Sequence, residues 1–285
     1  MAGAAAIPFH HAGPSTLLRR ALTAVVAVPV LVWVVAGAPA VLFHGVLVVA
    51  SAVASWELAR MFAGAGRGSY PGLAVVAGAA LTASFATPIN AALPTYPMVV
   101  FVVAVLVILS APVWIGGGPN AEAVANTVLG LVYIAWLLGY GVLLHRIVGG
   151  PGLVLFLMGV TWAGETAAYL VGSSVGRHPL APVLSPRKTV EGGLAQLVAS
   201  ALAALALAAW LLPGCGMPHV LGAGVLIGLV GQLGDLAESA LKRSVGVKDA
   251  GGILPGHGGV LDRLDSLLFN LPVFFYYWTY VGCGT

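Results

Sequence analysis

Nine apolar stretches, separated by Gly, Pro and charged breaks, constrain this chain more than any other feature. They fall near 21–37, 38–62, 71–89, 97–115, 123–147, 152–176, 192–212, 218–243 and 259–281. A bilayer core about 30 Å thick is crossed by roughly 20 apolar residues in a helix. In lipid every backbone N–H and C=O must be paired, which a helix achieves within its own segment. The sequence therefore predicts an all-α fold, a polytopic transmembrane helical bundle of about nine spans. Only 7% of the 285 residues are charged, against about a quarter in a soluble domain, so the lipid bilayer is the expected surrounding.

Each crossing reverses the side of the next loop, so the positive-inside rule tests all nine segments together. A cytoplasmic N-terminus fits best. It places Arg19, Arg20, Arg60, Arg67, Arg177, Arg187, Lys188, Lys242, Arg243 and Lys248 at or near the cytoplasmic side, with Arg146 near an outer end. Arg19 and Arg20, followed by an apolar run ending in Ala36-Gly37-Ala38, have the outline of a signal peptide. The apolar segment that follows at once favours a retained helix. Cys215 and Cys283 fall on the outer side, where a disulfide and two unpaired thiols are both open. Two cysteines make neither a zinc site nor a disulfide framework. The net charge of +3 arises without a basic run, which argues against a nucleic-acid partner.

Of the 21 Asp, Glu, Lys and Arg residues, 14 lie between 165 and 265 and seven in the first 159. One membrane domain is expected, with 1–150 (spans one to five) as lipid-facing scaffold. Residues 151–285 (spans six to nine), with two cytoplasmic loops, form the catalytic part. A carboxylate at the centre of a spanning helix costs about 2.5–3.5 kcal/mol on insertion scales, so such groups face a site, a partner or water. The sixth segment carries Glu165, Tyr169 and Ser173 at intervals of four, on one helical face. The eighth carries Gln232, Asp235, Ser239 and Lys242, with Glu238 beside them, and the ninth opens with Asp262, Asp265 and Ser266. Interhelical hydrogen bonding accounts equally well for the Ser, Gln and Tyr positions. Carboxylates differ, since burying Glu165, Asp235 and Asp262 together costs on the order of 8–10 kcal/mol unless cations offset it.

The loops supply those cations. GRHPLAPVLSPRKTVEGG (176–193) contains Arg177, Arg187 and Lys188, and KRSVGVKDAGGILPGHGGVLDRLD (242–265) alternates Lys242, Arg243, Lys248, His257 and Arg263 with glycines. Glycines let backbone amides approach a polyphosphate. Carboxylates beside phosphate-binding groups point to Mg²⁺, which takes one or two carboxylates plus phosphate oxygens; Asp235 and Asp262 are the ligand candidates. His257 either packs a tight turn or donates to phosphate.

These residues carry a resemblance. Ser239 to Asp265, SALKRSVGVKDAGGILPGHGGVLDRLD, looks like the complete signature of the phosphatidate cytidylyltransferase family. Gly234-Asp235-Leu236-Ala237-Glu238 extends it, and AAYLVG with SPRKTVEG (185–192) resembles the family's second block. Upstream, only the hydrophobic layout and the SWEL tetrad at 55–58 resemble it. The resemblance implies Mg²⁺-dependent transfer of a cytidylyl group from CTP to phosphatidic acid, giving CDP-diacylglycerol and pyrophosphate for phospholipid biosynthesis. It implies a multi-pass protein of a bacterial inner membrane with its site facing the cytoplasm, and a homodimer is a further partner expectation. Asp235 and Asp262 map onto metal-binding aspartates. Lys188, Lys242, Arg243, Lys248 and Arg263 map onto basic positions. The implied catalytic set is Asp235, Asp262, Lys242, Lys248, Arg263 and His257. The implied substrate-binding set is Ser185, Arg187, Lys188, Thr189, Glu191, Tyr169, Ser239, Arg243, Asp249, Gly258, Gly259 and Asp265. Glu165 stands where the family usually has Asp. Its longer reach leaves open direct metal ligation, ligation through water, or orientation of a base-recognition group. Two other readings are a cytidylyltransferase for another lipid phosphate and an ion-coupled secondary transporter, which would carry midspan carboxylates without phosphate-type loops.

Overall fold

The computed structural model describes residues 28–87, 96–115, 118, 120–252 and 258–281. Among them nine helical rods follow one another: α1 Val28–Gly37, α2 Ala40–Gly64, α3 Pro71–Ser84, α4 Tyr96–Trp114, α5 Ala121–Arg146, α6 Gly150–Val175, α7 Val190–Leu211, α8 Met217–Ser244 and α9 Leu261–Tyr280. Each rod corresponds to one predicted apolar segment. An antiparallel hairpin, β1 Pro179–Ala181 and β2 Ser185–Thr189, joins α6 to α7, with Pro179 opposite Thr189 and Ala181 opposite Ser185.

Six of the rods, α2 and α4 to α8, are long and apolar enough to cross a membrane. The chain is a multi-pass membrane protein. The other three fall short of that length or apolarity among the described residues. Helix α3 has 14 residues, about 21 Å at 1.5 Å each. It ends at Ser84 rather than near 89 because Ser84 Oγ turns back to Leu81 O (2.6 Å) and Thr87 Oγ1 to Ser84 O (2.6 Å). The first segment is described only from Val28, and the signal-peptide reading of Arg19 and Arg20 lies outside the described residues. Helix α9 opens with Asp262, Arg263 and Asp265, which lower its apolar character.

Small residues let the C-terminal helices approach closely, as interhelical packing in lipid requires. A Cβ on Gly164 of α6 would lie 2.2 Å from Ser200 Oγ of α7, and one on Gly224 of α8 would lie 2.8 Å from Ser200 O. Asn270 Nδ2 of α9 donates to Thr161 Oγ1 of α6 at 3.0 Å. The N-terminal helices are tied at both ends of the bundle. Arg67 pairs with Glu122 at 3.1 Å at one end, and at the other Arg146 donates to Phe85 O (2.7 Å) and Thr87 O (2.8 Å). Within α5, residues Leu131–Trp136 widen into a π-helical turn, a local distortion frequent at functional sites. Cys215 is disulfide-bonded, and Cys283, for which the sequence left a disulfide and a free thiol both open, lies outside the described residues.

Candidate active site

Helix α8 runs antiparallel to α9, and Gly234 sets their closest approach beside the acidic residues. A Cβ there would lie 2.6 Å from Asp265 O. Its absence brings Asp235 and Glu238 of α8 against Asp265 of α9, with one carboxylate oxygen from each within 4.8 Å of the others. Glu238 is only 1% exposed. Its Oε2 pairs with Lys242 one turn along α8, while its Oε1 is buried without a hydrogen-bond partner among the described residues. Glu165 of α6 reaches the same place, facing Ser266 within the fields of Asp235, Lys188 and Arg263.

Asp262, expected beside Asp235 as a metal ligand, is engaged otherwise. Its Oδ1 lies 2.7 Å from Lys242 Nζ, and its Oδ2 accepts from Gly259 N (2.8 Å) and Ala250 N (3.1 Å). The reason lies in its position in the first turn of α9, where unpaired amides and the helix dipole attract a carboxylate. Lys242 thus bridges Glu238 and Asp262. Asp265, expected to contact substrate, takes the position beside Asp235 instead.

The basic residues divide by accessibility. Lys188 on β2 holds its Nζ 2.5 Å from Asp235 Oδ2, and both side chains are partly accessible. Arg243 staples the hairpin to the end of α8 through Leu184 O (3.3 Å) and Val247 O (2.8 Å). Arg187, Lys248, Asp249 and Arg263 are exposed. Ser185 begins β2. Thr189 and Glu191, expected on the substrate, fold the hairpin onto α7. Thr189 Oγ1 accepts from Gly192 N (3.1 Å), and Glu191 accepts from the Arg177 and His178 amides (3.2 and 3.3 Å) while meeting His178 Nδ1 at 2.6 Å. Tyr169, one turn from Glu165 on the same face of α6, is 74% exposed. Ser239 is buried in α8. Gly258 has φ +80°, a left-handed turn beside Asp262, and a Cβ on Gly259 would press on Glu57. His257 lies outside the described residues.

Sequence reasoning gave three neighbouring groups no role. Glu57 of α2 is 1% exposed and accepts from Leu261 N at 2.9 Å; a lone carboxylate in the second apolar segment was its signal. Glu238 was set beside the polar face of its helix rather than on it. Tyr133, in the π turn of α5, is buried with its hydroxyl unpartnered among the described residues, and its ring meets Phe269 of α9 at 6.2 Å. No periodicity marks it.

The arrangement suits a cation. Glu165, Asp235, Glu238, Asp262 and Asp265 stand with Lys188, Lys242 and Arg263. Five carboxylates and three cations leave a formal excess of two negative charges. Buried charge is tolerated only when compensated, and the unpartnered Glu238 Oε1 offers a free hard oxygen, the donor that Mg²⁺ or Ca²⁺ prefers. Asp235, Glu238 and Asp265 therefore fit a divalent ion.

Fold and site together define a polytopic membrane protein whose acidic centre, ringed by lysines, opens beside glycine-rich loops. The chain belongs to the cytidylyltransferase family, which it matches over residues 18–281. It is 46% identical over 154 residues to the Escherichia coli K12 protein YnbB, covering 54% of this chain and 51% of that one. It is 45% identical over 124 residues to a phosphatidate cytidylyltransferase of Staphylococcus aureus (strain COL), 44% of this chain and 48% of that one. A Staphylococcus haemolyticus protein of the same name is 42% identical over the same number of residues, 124. The chain spans about half the length of the curated relatives it matches.

Proposed function

We propose that this protein transfers the cytidylyl group of CTP to phosphatidic acid, forming CDP-diacylglycerol and pyrophosphate, with Mg²⁺ as cofactor. The observation that carries this reading is the meeting of Asp235, Glu238 and Asp265 within 4.8 Å, beside Lys188 and Lys242, in a chain of the cytidylyltransferase family.

An oxygen of the lipid phosphate forms a new bond to the α-phosphorus of CTP. The bond from that phosphorus to the bridging oxygen of the β-phosphate breaks, and pyrophosphate leaves with the electron pair. A phosphomonoester has its second pKa near 6, so the nucleophile is already anionic and no general base is required. The difficulty is electrostatic, since an anion must approach a polyanion. Mg²⁺, when bound by Asp235, Glu238 and Asp265, supplies charge neutralisation at phosphate oxygens.

The chain's own groups do the rest. Lys188 is partly accessible, so an incoming phosphate can replace Asp235 as its partner. Lys242 is fixed from two sides by Glu238 and Asp262, a preorganised positive charge that needs no rearrangement during reaction. Arg187 on β2, Lys248 in the loop after α8 and Arg263 on α9 are exposed and suit the capture of substrate phosphates. Glu191 and Thr189 keep the hairpin folded so that Lys188 stays over α8. The basic loop ends support a bacterial inner-membrane protein with its site on the cytoplasmic face.

Purified protein in detergent with CTP, Mg²⁺ and phosphatidic acid is expected to yield a CDP-lipid detectable by mass spectrometry. Prenol phosphate and diether-lipid phosphate, supplied in parallel, are expected to react more slowly. Faster turnover of either would reassign the lipid substrate.

A further inference from the structure

We infer that Glu57, on α2 in the N-terminal half, is a positioning residue that caps the first turn of α9, packs against Gly251 on the other stem of the 249–261 loop, and so fixes where α9 begins. Its kinetic consequences rest on the proposed reaction; its structural consequence does not.

The first turn of any helix leaves N–H groups without intrahelical partners. In α9 the cap residue, Val260, makes no side-chain cap hydrogen bond. Glu57 Oε2 fills that role from another helix, accepting from Leu261 N at 2.9 Å across 204 residues of sequence. A carboxylate that is 1% exposed is costly to bury unless it is hydrogen-bonded. The α9 amide, at the positive end of the helix dipole, offsets part of that cost.

The loop is built to lie against this carboxylate. A Cβ on Gly251 would sit 2.4 Å from Glu57 Oε1, and one on Gly259 would sit 2.7 Å from both Glu57 oxygens. Gly252, one residue further along, meets nothing within 4 Å among the described residues. A Cβ at Gly251 or Gly259 would thus displace the Glu57 carboxylate, whereas one at Gly252 meets no described neighbour. Asp262 grips the same stems, through Ala250 N at 3.1 Å and Gly259 N at 2.8 Å. Two carboxylates, one from each half of the chain, meet the stems of one loop, Asp262 by hydrogen bonds to both and Glu57 by one to Leu261 N and by packing against Gly251. If Glu57 is lost, the start of α9 is free to shift, and Asp262 with its Lys242 partner shifts too. Misplacement by about 1 Å costs as much as 100-fold in rate.

Hydrogen exchange and steady-state kinetics on Glu57→Ala, Glu57→Gln, Gly251→Ala and Gly252→Ala test this. Glu57→Ala and Gly251→Ala are expected to speed exchange at Ala250, Gly259 and Leu261 without altering exchange in α3. They are also expected to lower kcat/KM for CTP at least about tenfold while the KM for phosphatidic acid stays within about twofold. Glu57→Gln keeps an acceptor of the same length and is expected to restore wild-type exchange and kinetics; Gly252→Ala is expected to match wild type throughout. Should Glu57→Ala fail to fold, Gly251→Ala, which leaves the carboxylate in place, carries the test. Wild-type exchange at the loop stems in Gly251→Ala, or equal behaviour of Gly251→Ala and Gly252→Ala, would overturn the inference. A wild-type protein that leaves CTP untouched would remove the proposed reaction, and the exchange data would still judge Glu57.

Discussion

Lys188 Nζ and Asp235 Oδ2 stand 2.5 Å apart, an ion pair that ties the hairpin between α6 and α7 to α8. Their side chains are 26% and 34% exposed, whereas Lys242, Glu238 and Asp262 are 12%, 1% and 9% exposed. The two lysines therefore do different work. Lys242 is a fixed charge in the wall, and Lys188 can exchange Asp235 for a substrate phosphate. Lys188→Ala is expected to lower kcat/KM about 100-fold without a change in thermal midpoint, because a partly exposed pair contributes little to stability. Lys188→Arg is expected to recover only part of that loss, since a planar guanidinium does not replace a compact ammonium. A thermal midpoint that falls in step with activity in Lys188→Ala would assign the pair to stability instead.

The placement of the acids separates two kinds of loss. Glu238→Gln and Asp265→Asn are expected to raise the Mg²⁺ concentration for half-maximal activity at least about tenfold. Asp262→Asn removes one partner of a buried ion pair and is expected to destabilise the protein by on the order of 3 kcal/mol, with a smaller change in Mg²⁺ requirement. Titrating activity against Mg²⁺ alongside thermal inactivation distinguishes the two. An Mg²⁺ requirement shifted most by Asp262→Asn would return that residue to the ligand set.

The nine rods were legible because a helix in lipid must be long and apolar, and Asp235, Lys188 and Lys242 because charge in such a chain is scarce. Partnership was not legible. Asp262 meets Lys242 across a loop, and Glu57 meets Leu261 across 204 residues, separations that no helical period encodes. Helical period also left the surroundings of two groups open. Tyr169 shares a face with Glu165 by spacing, yet it is 74% exposed, because the cluster touches only one level of α6. Glu238 sits off the counted face of α8 and is nonetheless enclosed, because Gly234 draws α9 over it. In the first half, nearly uniform apolarity hides which side of a helix faces the site, and this concealed Tyr133.

Tyr133 presents a buried hydroxyl with no partner among the described residues, a condition that costs about 1–3 kcal/mol. Tyr133→Phe removes that cost, so its thermal midpoint is expected to hold or rise. Turnover is expected to fall about tenfold, because the phenol then cannot donate to a phosphate or water at the acidic cluster. Paired melting and kinetic measurements check this. Unchanged turnover would make the ring a packing element only.

The most direct measurement follows the phosphorus atoms of CTP. With purified protein, Mg²⁺ and phosphatidic acid, label at the α-phosphorus is expected in the lipid-soluble fraction as CDP-diacylglycerol. Label at the γ-phosphorus is expected in pyrophosphate, in equal molar amount. Label retained in CTP, or α-label released as water-soluble CMP, would contradict cytidylyl transfer to the lipid.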